Sequence, residues 1–282
     1  MNNLAEIINA ESFFAQHKAT EDYIDESGCL VCGRCHTRKQ TRVELFGSIK
    51  YMPIACECRK AQFRKEDAER EREEFRQRLE RLRRDNITDE KYFDYTFAND
   101  NGKNAAKSRI CRRYVEEWEQ MLEENIGIIM SGNVGSGKTF MAGCIANALI
   151  DKCVEASITS FPTLLDKMSG FNKDNQGLLK SLQRYDLLVI DDLGVERETP
   201  MACEQVFTIL DARYRSKKPL IVTTNLSLNQ MEKPKNLTFA RIYSRILDEM
   251  CPIKLVFDGA SQRAEKGKAK AELAKKILRG EV

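Results

Sequence analysis

The run Gly132-Asn133-Val134-Gly135-Ser136-Gly137-Lys138-Thr139 satisfies G-x-x-x-x-G-K-[ST] at every fixed position. That spacing is suited to phosphate chemistry. The glycines let the backbone fold around a polyphosphate with N–H groups pointing inward, Lys138 reaches its outer phosphates, and Thr139 is placed to ligate Mg2+. A second group begins at Tyr185 and runs through Leu187 to Ile190 into two carboxylates, Asp191 and Asp192. An apolar strand ending this way suits one carboxylate in a Mg2+ shell, Asp191, and one that orients or deprotonates an attacking water, Asp192. The same residues also fit an acidic strand-to-loop turn without a catalytic role. Leu220 to Asn225 likewise ends an apolar run in a polar group able to reach a terminal phosphate or its water.

A third group is made of sulfur. Cys32-Gly33-Arg34-Cys35 and Cys56-Glu57-Cys58 are two close thiol pairs. Four thiolates from two such pairs can close a tetrahedral zinc site with no open position, which makes the metal structural. It would hold together a segment with too little apolar material to fold by itself. Cys29 and His36 compete as ligands on spacing alone, and a redox pair or unliganded thiols also fit it. Cys111, Cys144, Cys153, Cys203 and Cys251 lie in apolar contexts and read as core thiols.

For these groups to act, the chain must bring them to one edge. Ile126 to Met130 predicts a buried strand before the glycine-rich loop, and the residues after Thr139 predict a helix whose positive end faces the anion. Further on, strand and helix alternate, with a strand over Ala156 to Phe161 and a helix over Pro162 to Met168. This is the pattern of a parallel α/β domain, which places strand-end residues together at its C-terminal edge. Upstream, Arg59 to Arg84 is dense in charge. Ala61, Ala68, Phe75 and Leu82, joined by Leu79, form a thin seam along it, as in a solvated spacer helix or a partner-binding one. Tyr92, Phe93, Tyr95 and Phe97 mark an ordered linker, and Ser108 to Glu124 a further helix. The expected organisation is a zinc-binding module over 1–60, a charged helical linker over 61–90, an ATPase domain over 91–263 and a basic tail over 264–282.

The formal charge is only +3, from 46 basic and 43 acidic residues, so a nucleic-acid surface would have to be local. Lys266, Lys268, Lys270, Lys275 and Lys276 fit a basic helix touching phosphates, or equally a solvated tail, and single-stranded DNA could instead follow a groove of an assembled ring. No apolar run approaches the length of a bilayer span, and a cytoplasmic location with no membrane partner is expected.

The order GNVGSGKT, LLVIDDLG, IVTTNLS, then Arg241-Ile-Tyr-Ser-Arg245, then Gly259 to Arg263 resembles the AAA+ ATPases of the DnaC/DnaI helicase-loader and IstB group. The likeness covers about residues 92 to 263, and the cysteine-rich front end is similar to that of phage and Gram-positive loaders. It implies an α/β P-loop fold of AAA+ type with an N-terminal zinc module, and ATP, Mg2+ and Zn2+ as cofactors. Asn225 would be sensor 1, Arg263 the sensor 2 arginine, and Arg241 or Arg245 a finger offered to a neighbouring subunit from one shared helical face. Cys32, Cys35, Cys56 and Cys58 would be the zinc ligands. The partners implied are a replicative helicase, single-stranded DNA and further copies of the chain. Asp192 departs from the glutamate of many AAA+ enzymes, which suits a slow switch better than a fast motor. A transposition helper of the IstB kind, or a DNA-binding ATP switch without productive hydrolysis, are the competing readings.

Overall fold

The computed structural model describes residues 22–169, 174–194, 199–234 and 237–279. Residues 1–21 of the expected zinc module and 280–282 of the expected tail lie outside them, as does the side chain of Lys266. The chain divides into two compact units, Met1–Gln77 and Arg78–Val282.

In the first unit, β1 (Tyr23–Ile24) pairs antiparallel with β2 (Leu30–Val31), and β3 (Gln40–Leu45) pairs antiparallel with β4 (Ser48–Pro53). Phe46 and Gly47 join β3 to β4 at positive φ, 50° and 73°. Such two-residue turns match the twist of the flanking strands. Among the described residues of this unit only Cys29, Val31, Cys32 and Cys56 are buried. One aliphatic side chain among the described residues makes little hydrophobic core, and a metal held by the thiols would add to what that burial contributes.

Helix α1 (Glu57–Asn86) crosses from one unit into the other. Its surface is laced with short-range pairs such as Lys60–Glu57, Arg70–Asp67 and Arg76–Glu73. Each contributes only a few tenths of a kcal/mol, roughly 0.3–0.5, which together keep an exposed helix wound. Of the apolar seam, Phe75 is exposed, whereas Leu82 packs against the core of the second unit.

That unit continues with α2 (Ala105–Glu116) and α3 (Trp118–Glu123). The single helix expected over Ser108 to Glu124 is thus broken at Glu117, whose ψ of 26° leaves the helical range. Then follow β5 (Ile128–Gly132), α4 (Lys138–Asp151), β6 (Ala156–Ser160), α5 (Phe161–Ser169), α6 (Asn175–Arg184) and β7 (Leu187–Leu193). The remainder is α7 (Pro200–Ser216), β8 (Leu220–Thr224), α8 (Leu228–Glu232), α9 (Leu237–Ser244), a π-helical turn (Arg245–Met250), β9 (Ile253–Phe257) and α10 (Gln262–Leu278).

All five strands run parallel in the order β6-β7-β8-β5-β9. Successive strand residues face opposite sides. Ile128, Met130, Leu187 and Val189 accordingly join one apolar cluster with α4, Tyr92, Tyr114 and Trp118. Ile129, Leu188, Ile190 and Val222 join a second with Phe161, Leu164, Val206 and Ile246. Coverage on both faces explains strands that read as unbroken apolar runs. Of the expected core thiols, Cys111, Cys144, Cys203 and Cys251 are buried and Cys153 is not. Cys153 lies just past the end of α4 at φ 60°, where the chain turns out of the helix.

Candidate nucleotide site and thiol cluster

Strand β8 lies between β5 and β7, so the loop after β5, the carboxylates ending β7 and Asn225 after β8 meet at one sheet edge. Gly132 ends β5 at φ 131°, and a Cβ there would lie 2.1 Å from the Phe257 carbonyl oxygen of β9. Only glycine allows that approach. Gly137 caps α4 in the left-handed region at φ 106°. The loop is held from outside. Asn133 N donates to Phe257 O (3.0 Å) and Gln262 N to Gly135 O (2.9 Å), while Ser136 O accepts from Asn104 Nδ2 (2.9 Å) and Gln262 Nε2 (3.3 Å).

These constraints leave a cavity of about 320 Å³ at the N-terminus of α4, lined by Gly135, Gly137, Lys138, Thr139, Asp192, Asn225 and Arg263. Val134, beside it, is exposed. Tyr95 and Asn99 to Asn101 from the linker line its other side. Lys138 is 5% exposed, and its Nζ donates to Gly132 O (2.9 Å), Asn133 O (2.7 Å) and Asn225 Oδ1 (3.0 Å). Burial pushes its pKa down, and the charges of Asp192 and Asp191 pull it back up. Three neutral acceptors around a buried ammonium make a site that an anion completes.

The two carboxylates are set by a bulge. Ile190 pairs with Val222 and Leu193 with Thr224, so Asp191 and Asp192 together oppose Thr223. Thr223 Oγ1 donates to Asp191 Oδ1 (2.5 Å) and accepts from Asp192 N (3.0 Å), using both capacities of one hydroxyl. Asp192 takes φ 61°. In a regular strand neighbouring side chains diverge, and the bulge re-aims Asp192 into the cavity. Asp191 also accepts from Thr139 Oγ1 (2.8 Å) and from the Tyr92 hydroxyl (3.4 Å). Burial raises the Asp191 pKa and the Thr223 hydrogen bond lowers it, with Asp192 adding to the rise. A cation beside Asp191 and Thr139 would offset the two influences that raise it, burial and the charge of Asp192.

Thr223, Tyr92, Asn104 and Gln262 are functional neighbours that sequence reading missed. Thr223 was within reach, because a threonine pair ending an otherwise aliphatic buried strand needs partners for its hydroxyls.

The three arginines differ. Arg263, at the start of α10, lines the cavity. Arg245 donates to Asp211 Oδ1 (2.6 Å), with its guanidinium 5.2 Å from the Phe207 ring and 5.0 Å from that of Tyr214. Arg241 is exposed, and among the described residues no hydrogen bond or ion pair holds it. The shared helical face expected for Arg241 and Arg245 is interrupted, because α9 stops at Ser244 and Arg245 opens the π-helical turn.

In the first unit the Sγ atoms of Cys32, Cys35, Cys56 and Cys58 all lie within 4.8 Å of one another. Thiolates about 2.3 Å from one tetrahedral zinc fit that grouping, and the all-sulfur donor set suits the metal. The knuckle is shaped by His36 N donating to Cys32 O (2.8 Å) and Cys32 N to Thr37 O (2.9 Å), while α1 carries Cys58 in its first turn. Cys29 is buried outside the group, its N–H bonded to Asp25 Oδ1 (2.9 Å). His36 is exposed beside Tyr23. A bond to the Thr37 hydroxyl brings the Cys35 thiol down to about 5, and its bond to Cys35 pushes Cys58 up to about 11.

The family model for the IstB-like ATP binding protein matches residues 59–268. The replicative helicase loader DnaC of Escherichia coli (strain K12) is 31% identical over 127 residues, 44% of this chain and 51% of that protein. The phage-like element PBSX protein XkdC of Bacillus subtilis (strain 168) is 29% identical over 155 residues, 51% of this chain and 56% of that one. The replicative helicase loader DnaI of the same organism is 28% identical over 149 residues, 49% of this chain and 47% of that protein. The chain thus spans about half the length of the curated relatives it matches. In fold, a crystal structure of DnaI superposes with a TM-score of 0.50 at 24% identity, covering 63% of this chain and 95% of that one. The parallel sheet with its glycine-rich loop is a P-loop fold of AAA+ type. Among the described residues no helix is long and apolar enough to cross a membrane. Since the match takes in most of the sequence, including every residue of the cavity, this chain belongs to the family of IstB-like ATP binding proteins.

Proposed function

We propose that this protein is an ATP-dependent loader of a replicative DNA helicase onto single-stranded DNA, hydrolysing ATP slowly and only when assembled. The observation that carries the reading is the likeness to helicase loaders across the domain that holds the nucleotide cavity. The loop from Gly132 to Thr139 cradles the phosphates, with Lys138 turning from Asn225 toward their charge. Thr139 and Asp191 would hold Mg2+, which supplies charge neutralisation to the phosphates when bound. Asp192 accepts the proton of the attacking water, and Asn225 orients that water. Asp192 is one methylene shorter than glutamate and sits at a strained φ, which suits slow turnover.

Arg263 contributes from within the chain. Arg241, exposed and without an ion pair among the described residues, is the better candidate for the charge offered to a neighbouring copy, because Arg245 is engaged with Asp211. Hydrolysis that needs a second copy then reports assembly. Cys32, Cys35, Cys56 and Cys58 would hold Zn2+ and so shape the module that grips the helicase.

The test is co-purification of the full-length protein with the replicative helicase of its own cell, together with ATP turnover with and without single-stranded DNA. Capture of the helicase and DNA-sensitive turnover abolished by Lys138→Ala are expected. Failure to capture the helicase sinks the loader reading. The name of the matching family favours a second one, a transposition helper acting on duplex DNA. Capture of a transposase complex in place of a helicase would select it.

A further inference from the structure

Ser136 is 2% exposed, and its carbonyl oxygen is served from outside the glycine-rich loop. Asn104 Nδ2, just before α2, donates to it (2.9 Å), and so does Gln262 Nε2, at the start of α10 (3.3 Å). These groups lie 32 residues before Ser136 and 126 residues after it, well beyond the reach of the phosphate-loop pattern. Neither amide is spoken for by its own helix. Asn104 holds the N-cap position of α2, yet its side chain makes no capping bond. Gln262 Oε1 accepts from Asn101 Nδ2 (2.8 Å), which turns the other end of that amide, its nitrogen, toward Ser136.

A buried backbone carbonyl needs a partner, and here the partner fixes a direction. The Ser136 carbonyl and the Gly137 N–H belong to one planar trans peptide, so they point opposite ways. Two donors that hold the oxygen outside turn the N–H toward the cavity, where a phosphate would meet it. Gly137 itself does not make that choice. It stands at φ 106°, and a flip of this peptide would carry it to a negative φ that glycine adopts about as readily. Turned inward, the carbonyl would enter the cavity lined by the Lys138 ammonium, which already draws the oxygens of Gly132, Asn133 and Asn225. An oxygen would then stand where an anion needs a donor. A Cβ on Gly137 would lie 2.9 Å from Asn104 Nδ2 and 3.2 Å from Gln262 Nε2, so both amides rest against the peptide in question.

We infer that Asn104 and Gln262 are positioning residues for the phosphate site, locking the Ser136–Gly137 peptide with its N–H inward and excluding a flipped form that rejects an anion. This rests on the nucleotide-site reading and adds to it two groups from outside the loop. Since α10 also carries Arg263, one helix sets both the loop and a cation of the cavity.

The test compares Asn104→Ala, Gln262→Ala and the double variant of the full-length protein, using a fluorescent ATP analogue and inorganic pyrophosphate as its competitor. Either donor alone keeps the oxygen outside, so each single variant should lose at most about twofold in affinity and the double about tenfold, more than the product of the two. Pyrophosphate should suffer the same loss as the analogue, because the defect lies on the phosphate side. With isotopically labelled glycine, the Gly137 amide resonance of the nucleotide-free double variant should move, while glycines outside the loop and the melting temperature hold. Large losses in either single variant, losses that simply multiply, or an unmoved Gly137 resonance would each overturn the inference. So would a loss seen with the analogue and absent with pyrophosphate, which would assign the two amides to the base. If the wild-type protein binds both probes and the double variant binds them equally well, the lock falls and the nucleotide-site reading stands. If the wild-type protein binds neither, that reading falls and the lock with it.

Discussion

The nucleotide cavity and the thiol cluster are built on opposite principles. The cavity is the edge of a sheet whose strands Ile128 to Met130, Leu187 to Ile190 and Leu220 to Val222 are fully buried, each such side chain contributing about 1.5–3 kcal/mol. Its groups are held by hydrogen bonds already in place: Lys138 by three carbonyl oxygens, Asp191 by Thr139 and Thr223. The thiol cluster has Val31 as its one buried aliphatic among the described residues of its unit, and the four sulfurs are themselves the centre. A ligand in the first case occupies a site that the core maintains. In the second a metal on the four sulfurs would itself be the centre of the described residues.

The largest expected effect follows from that contrast. Chelating zinc, or combining Cys32→Ser with Cys56→Ser, should remove on the order of 10 kcal/mol of folding free energy from the cysteine-rich unit. Hydrogen exchange should then lose protection over residues 22–56 and keep it over β5 to β9, with nucleotide affinity unchanged. A parallel loss of nucleotide binding would show that the two regions are not independent. Next is Lys138→Ala, which removes charge-assisted contacts of about 1.5–3 kcal/mol each. A fluorescent ATP analogue should bind roughly a hundredfold more weakly while the melting temperature holds, because Lys138 is a charge that the fold desolvates. A large fall in melting temperature would mean that this site is as structural as the cysteines.

Thr223→Val is a smaller step, near-isosteric but without the hydroxyl that serves Asp191 and Asp192. It should cost about 1–2 kcal/mol and weaken the Mg2+-dependent part of ATP affinity, with Thr223→Ser restoring both. Equal Mg2+ dependence in all three proteins would contradict the role given to the bulge. The smallest effect separates the two arginines. Arg245→Ala should lower stability by about 1 kcal/mol through loss of the Asp211 pair and the ring contacts. Arg241→Ala should leave stability and ATP affinity alone and remove only the turnover that rises with protein concentration. The opposite pattern would reassign the trans role to Arg245.

Much of this was legible in the residues. The fold class followed from strand and helix alternation, and the phosphate loop from its fixed glycines, lysine and threonine. The two cysteine pairs pointed to one four-sulfur site, which the structure assembles without Cys29 or His36. Less legible were interruptions of regular periods. Glu117 breaks an expected helix, the π-helical turn at Arg245 turns an expected pair apart, and the bulge at Asp191 and Asp192 overrides strand alternation. Each depends on packing against another element, which local spacing does not contain.

The sequence by itself determined which groups are available and where along the chain each must lie, because phosphate loops, thiol knuckles and apolar strands are local patterns. Tertiary structure alone decided which of them meet. The order β6-β7-β8-β5-β9 sets β8 between the loop and the carboxylates, so that Thr223 and Asn225 reach both. The packing of the π-helical turn against α7 occupies Arg245 and leaves Arg241 outward. Those outcomes are set by free energies of contact between residues distant in the chain, and no single stretch of sequence carries them.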